Sequence, residues 1–209
     1  MMFNRTENFK QYIKLYPVVS SLLALNIVIH ILTMIPIFGQ QILGFGIHFN
    51  LLISEGEYWR LLTPIFLHAS FSHLLFNMFS LYIFGPELEQ LAGKARFLTI
   101  YMLAGLVGNV ATYLIHDWDY MSVGASGAIY GIFGAFGALV YYTRNFMPQL
   151  KQIIIPIIVI GVIMTFLQPQ INVTAHIAGL LTGFIIGMVY FHPKRIAAWK
   201  KRQRKLKSV

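Results

Sequence analysis

Charge is absent from five long stretches of this 209-residue chain, 15–54, 61–86, 97–116, 120–143 and 152–193. A helix crossing the hydrocarbon core of a bilayer needs about 20 consecutive, mostly apolar residues. The runs of 20 to 26 residues each fit one span. The runs of 40 and 42 residues each hold two spans, or one span and an apolar loop. Hydrophobic residues make up 57% of the chain and charged residues 11%, less than half the ~25% charge of an ordinary soluble domain. Six spans would use roughly 120 residues, which matches the hydrophobic content. The pattern predicts an all-α membrane protein of about six spans and excludes a soluble enzyme, a disordered chain and a large extramembrane domain. With no cysteine, a disulfide framework and a thiolate metal site are excluded too. Glu7, Lys10 and Lys14 precede the first apolar run and no small-residue cleavage site follows, which argues against a removable signal peptide.

The expected spans cover 17–37, 68–88, 95–115, 124–143, 151–168 and 174–191, with Pro17 at a first helical turn. Between the first two lies a loop, 38–67, apolar but broken by Gly39, Gly44, Gly46, Gly56 and Pro64. This divides the chain into an N-terminus (1–16), a six-span domain (17–191) and a basic tail (192–209). Basic residues concentrate on the cytoplasmic side of membrane proteins. Six spans place fifteen of the sixteen basic residues on one side, Arg60 being the exception, and four of the seven acids on the other. Both termini are therefore expected in the cytoplasm. A tail with eight basic residues would suit nucleic acid in a soluble protein. Beside a membrane it reads as a topology anchor against anionic lipid, with no nucleic-acid partner expected.

Polar residues inside a bilayer are expensive and call for a reason. Span 2 opens with His68, His73 and Asn77, span 4 with Gly124, Ser126, Gly127 and Tyr130, and span 6 with His176, Gly179 and Gly183. His73 and Asn77 are spaced i and i+4, as are Ser126 and Tyr130, so each pair shares one helix face. Even-numbered spans run from the outside inward, which puts the three groups at similar depth. Small residues every three to four positions let helix backbones approach closely. The stripes Gly127-Gly131-Gly134 and Gly179-Gly183-Gly187 predict that spans 4 and 6 pack together and bring Ser126 within hydrogen-bond reach of His176.

A serine hydroxyl needs a base to become a nucleophile, and neutral histidine is the usual one. His73, Asn77 and the Ser126 backbone N–H are candidate donors to a developing oxyanion, and Tyr130 is placed to stack beneath the imidazole. Each feature also has a plain structural reading. A membrane serine bonds its own i−4 carbonyl, a glycine stripe is a packing device, and a lone histidine is a hydrogen bonder, proton relay or metal ligand. A metal site built from His68, His73 and His176 lacks both an HExxH pair and the acids that usually complete a zinc hydrolase. No metal or cofactor is expected.

Taken in order, these residues resemble the rhomboid family of intramembrane serine proteases. The motifs are Trp59-Arg60 in the first loop, His68, His73 and Asn77, Gly124-Ala125-Ser126-Gly127, and Ala175-His176 followed by Gly179 and Gly183. Glu89, in the stretch Gly85-Pro86-Glu87-Leu88-Glu89 before Gly93, matches the family's structural glutamate. The resemblance implies a six-helix rhomboid-like bundle with a first loop partly embedded in the outer leaflet. It implies a Ser126–His176 dyad and an oxyanion site of His73, Asn77 and the Ser126 N–H. The substrates it implies are single-span membrane proteins, cut near the outer face after local unwinding and lateral entry between spans 2 and 5. No soluble N-terminal domain or seventh span is read in the chain. A monomer suffices for such a site, and a bacterial plasma membrane fits the sequence. Two other classes stay open at this point. One is a catalytically silent rhomboid-like protein that binds membrane clients; the other is a small transporter, which would usually carry repeat symmetry or paired intramembrane charges.

Overall fold

The structure is a computed structural model describing residues 6–145, 147–168 and 170–194. Most of the basic tail, expected from 192 onward, lies outside the described residues. The described chain is mostly helical. In order come α1 (Phe9–Leu15), α2 (Pro17–Thr33), α3 (Phe38–Gly46), strand β1 (His48–Phe49) and α4 (Asn50–Ser54). Then follow 3-10 turns at Tyr58–Leu61 and Thr63–Phe66, α5 (Phe71–Ala92), α6 (Lys94–Ile115), β2 (Met121–Ser122), α7 (Ser126–Thr143), α8 (Pro148–Leu167) and α9 (Val173–Tyr190).

Among the described residues α6, α8 and α9 are long and apolar enough to cross a membrane. The α1–α2 pair, bent by 110°, makes a fourth if it is counted as one broken span. The other long helices are shorter or less apolar: α2 has 17 residues, α5 carries His73, Asn77, Glu87 and Glu89, and α7 is rich in glycine and tyrosine. Large apolar side chains face outward along α2 (Val28, Ile31), α5 (Phe76, Phe79) and α8 (Ile160, Ile163, Phe166). A helix satisfies most of its own backbone hydrogen bonds, which is what lipid demands of a segment it surrounds; Pro86 in α5 and Pro156 in α8 each remove one such bond.

The ends of the helices are fixed by identifiable contacts. α2 starts at Pro17, whose missing N–H is no loss in a first turn. The next two donors, Val18 N and Val19 N, go to the Glu89 carboxylate of α5 at 3.1 and 2.8 Å. Glu89 is buried, and the positive end of the helix dipole supports its charge. α5 begins at the Ser70 cap, whose hydroxyl accepts from His73 N at 3.2 Å. It closes at Gly93, where φ is +88° and the chain turns into α6.

The segment expected as a loop, 38–67, carries more structure than its glycines suggested. α3 and α4 lie within it, and His48 and Phe49 pair antiparallel with Ser122 and Met121. Asn50 reinforces the pairing, its amide donating to the His116 and Asp117 carbonyls at 2.9 and 3.0 Å. His48 Nε2 donates to Asn50 Oδ1 at 2.7 Å, and burial pushes the His48 pKa below the ordinary histidine value. Arg60 lies folded inside this segment. Its guanidinium donates to the Gly44 and Ile47 carbonyls at 2.8 and 3.0 Å and pairs with Glu57 at 2.6 Å. Trp59 donates to the Phe45 carbonyl at 3.1 Å and stacks on the Phe45 ring.

α9 packs into α6 and α7 through backbone contact. A Cβ on Gly179 would land on the Gly127 carbonyl, and one on Gly183 on the Gly131 carbonyl. Gly108 of α6 faces the Ala175 carbonyl in the same way, 2.9 Å from where its Cβ would be. The glycine stripes are therefore the contact surface itself. Phe97, Ile100 and Tyr101 of α6 and Ile132 and Phe136 of α7 are fully buried beside it.

Candidate active site

Three helix starts meet at one end of this packing. Ser126 is the first residue of α7, and the first N–H groups of a helix have no intrahelical acceptor. The turn before it is held by Gly124 N donating to the Pro64 carbonyl at 2.9 Å. Gly124 has φ +136°, a region that side chains other than glycine rarely adopt. A Cβ there would lie 2.7 and 2.8 Å from Cε1 and Nε2 of His73, and 3.6 Å from Ser126 Oγ. The His73 ring and the Ser126 hydroxyl thus flank the same bare glycine.

His176 is the fourth residue of α9, which Asn172 caps by accepting from Ala175 N at 2.9 Å. The Asn172 amide also donates to Thr112 of α6 and Ser122 of β2, at 2.9 and 3.2 Å. The cap of the histidine helix is thereby tied to the strand leading into the serine helix. His176 is buried and stacks on Tyr130, with ring centroids 4.1 Å apart and planes at 21°. Because Tyr130 sits one turn below Ser126, it fixes the imidazole relative to the hydroxyl. The expected hydrogen bond between Ser126 and His176 is not formed among the described residues. His176 is hydrogen-bonded between its Nδ1 and Thr165 Oγ1 of α8, 2.9 Å apart, and among the described residues Nε2 has no hydrogen-bond partner. Catalytic hydrogen bonds are often long in ligand-free sites and tighten when substrate binds.

The candidate oxyanion donors are not all free. Asn77 is buried, and one of its amide hydrogens goes to its own helix, to the His73 carbonyl at 2.8 Å. An amide nitrogen carries two hydrogens, so one remains for a ligand. His73 meets the edge of the buried His68 ring at 5.1 Å, and His68 in turn meets His30 of α2 at 6.4 Å. His30 is thus the far end of a row of rings that backs His73. Among the described residues no three histidine or acidic side chains converge as metal ligands. Thr165 carries no motif signal, since a single threonine in an apolar helix reads as bonding its own i−4 carbonyl. It does that too, to Gly161 at 3.0 Å.

Apolar helices around a helix-start serine and a stacked, buried histidine are the parts of a membrane-embedded serine hydrolase. The Rhomboid domain model matches residues 55–193 of the chain. YdcA of Bacillus subtilis, itself assigned as a rhomboid protease, is 42% identical over 199 residues, covering 92% of this chain and 98% of that one. The rhomboid protease GluP of the same organism is 39% identical over 166 residues, 78% of this chain and 32% of GluP. RHOMBOID-like protein 5 of Arabidopsis thaliana is 38% identical over 158 residues, 69% of this chain and 50% of the plant protein. The chain belongs to the rhomboid family. It is a multi-pass membrane protein and an intramembrane serine protease.

Proposed function

We propose that the chain is a six-span endopeptidase in which Ser126 is the nucleophile and His176 the base. α2 and α5 through α9 are the six spans of a domain covering 17–191. The termini (1–16 and 192–209) face the cytoplasm, in keeping with the basic residues, and the membrane is a bacterial plasma membrane. The observation that carries the reading is the Tyr130–His176 stack one turn below Ser126, with Nδ1 already engaged by Thr165.

On this reading Ser126 Oγ attacks the scissile carbonyl carbon while its proton passes to His176 Nε2. The carbonyl π electrons move to oxygen, and the oxyanion is met by the Ser126 N–H, His73 and Asn77. Collapse breaks the C–N bond, and His176 returns the proton to the leaving amine. Water, deprotonated by the same nitrogen, then attacks the acyl ester, and the carboxylate product leaves with Ser126 restored. Gly127, Gly179 and Gly183 serve by bringing the two helices into contact, and Gly124 by leaving space beside the His73 ring and the Ser126 hydroxyl. Trp59, Arg60, Glu89 and His68 hold the surrounding frame.

The substrates are single-span membrane proteins cleaved near the outer face. A regular helix keeps its carbonyls in i→i+4 bonds, so the substrate must unwind locally to offer one. The test is turnover of a single-span reporter co-reconstituted in liposomes. Wild type should cut it, while Ser126→Ala and His176→Ala should each be inactive yet melt like wild type. Full activity in either variant would end the dyad reading.

A further inference from the structure

A base at His176 must be held in one tautomer, and four contacts at α8 bear on which. Thr165 Oγ1 lies 2.9 Å from His176 Nδ1, 2.6 Å from the Tyr130 hydroxyl and 3.0 Å from the Gly161 carbonyl. The Tyr130 hydroxyl also lies 2.6 Å from that carbonyl. The threonine is 1% exposed and the histidine 6%, so the protein itself must supply most of their partners.

Counting hydrogens decides the tautomer. Each hydroxyl carries one hydrogen, and the Gly161 carbonyl only accepts. If Nδ1 carries a hydrogen, it donates to Thr165. The two hydroxyl hydrogens then fill two more contacts, Thr165 to Tyr130 and Tyr130 to Gly161, or Tyr130 to Thr165 and Thr165 to Gly161. Three of the four contacts are bonded. If Nδ1 is bare, Thr165 must donate to it, the Tyr130 hydrogen fills one other contact, and only two are bonded. One more hydrogen bond in a buried site favours the first arrangement by about tenfold or more. That arrangement leaves the Nε2 lone pair free to take a proton.

We propose that Thr165 is a positioning residue for this protease: together with Tyr130 and the Gly161 carbonyl it holds His176 as the Nδ1–H tautomer, with Nε2 directed to accept the Ser126 proton. The role rests on the Ser126–His176 reading. It gives the dyad a third, uncharged member, supplied by α8 in place of a carboxylate. It also ties α8, which buries few of its own side chains (Leu150, Ile154 and Thr165), to the orientation of His176.

The experiment compares wild type, Thr165→Val, Thr165→Ser and Ser126→Ala in reporter turnover and thermal melting. Nitrogen NMR of protein labelled with 15N-histidine, with His176→Ala used to assign the signal, reads the tautomer. Thr165→Val should lower kcat about tenfold with KM within about twofold, the loss expected for one hydrogen bond. Its His176 Nδ1–H signal should weaken. Thr165→Ser, which keeps the hydroxyl, should stay within about threefold of wild type in kcat. If Thr165→Val turns over like wild type while Ser126→Ala is dead, the positioning role is wrong and the dyad stands. If Ser126→Ala is active, the dyad falls and the positioning role falls with it. Equal loss in Thr165→Val and Thr165→Ser, tracking a lower melting temperature, would overturn the proposal in favour of a packing role.

Discussion

Replacing Glu89 by glutamine tests how the first span is anchored. The change keeps shape and volume, so packing is preserved. In the native protein both carboxylate oxygens accept, one from Val18 N and one from Val19 N. An amide offers one oxygen, and its nitrogen would face a backbone donor. One charge-assisted hydrogen bond is lost, worth about 1.5–3 kcal/mol at a buried site. The charge at the helix N-terminus is lost as well, worth up to about 2 kcal/mol when partly buried. A total near 3 kcal/mol is expected, and for a chain of this size each kcal/mol moves the melting temperature by roughly 2–4 °C. Glu89→Gln should therefore melt about 6–12 °C below wild type in the same detergent, followed by intrinsic tryptophan fluorescence. Glu89→Ala should melt lower still, since it also opens a cavity. A melting temperature within 1–2 °C of wild type, on that ~2–4 °C per kcal/mol scale, would mean that α2 is held by lipid and packing and that the carboxylate contributes nothing.

Other expectations follow from the same geometry. Gly124→Ala combines a backbone strain of about 1–3 kcal/mol with a Cβ pressed on the His73 ring. It should reduce turnover by ~10² or more, measured with the liposome reporter. Gly183→Ala forces α7 and α9 apart and should cost about 1–3 kcal/mol. Gly44→Ala meets nothing within 4 Å and should be neutral or slightly stabilising; comparable melting of the two variants would refute the backbone-contact account. His73→Ala should lower kcat by ~10²–10³ if its ring donates to the oxyanion, and an unchanged kcat would reject that role.

The parts legible in the sequence are those with local periodicity. Uncharged runs located the six long helices to within a few residues, because the absence of charge is a property of each segment alone. Glycine spacing on 127–134 and 179–187 named the α7–α9 contact, since helical geometry fixes which residues share a face. The same i, i+4 rule placed Tyr130 below Ser126. What stayed hidden depends on pairs far apart in the chain. The two-residue strands at His48–Phe49 and Met121–Ser122 are too short to show any alternation. Thr165 has no motif around it and gains meaning only when α8 lies against His176. Asn77 read as a free donor because its bond to the His73 carbonyl is decided by a rotamer, and the contact of His30 stayed hidden because the ring it meets, His68, comes from the segment before α5, far away in the chain.

The dyad requires that His176 make Ser126 nucleophilic. The measurement is to treat detergent-purified protein with a fluorophosphonate probe and locate the adduct by peptide mass spectrometry. One adduct is expected, on the peptide carrying Ser126, lost in Ser126→Ala and strongly slowed in His176→Ala. An adduct on another residue, or equal labelling of wild type and Ser126→Ala, would contradict the dyad.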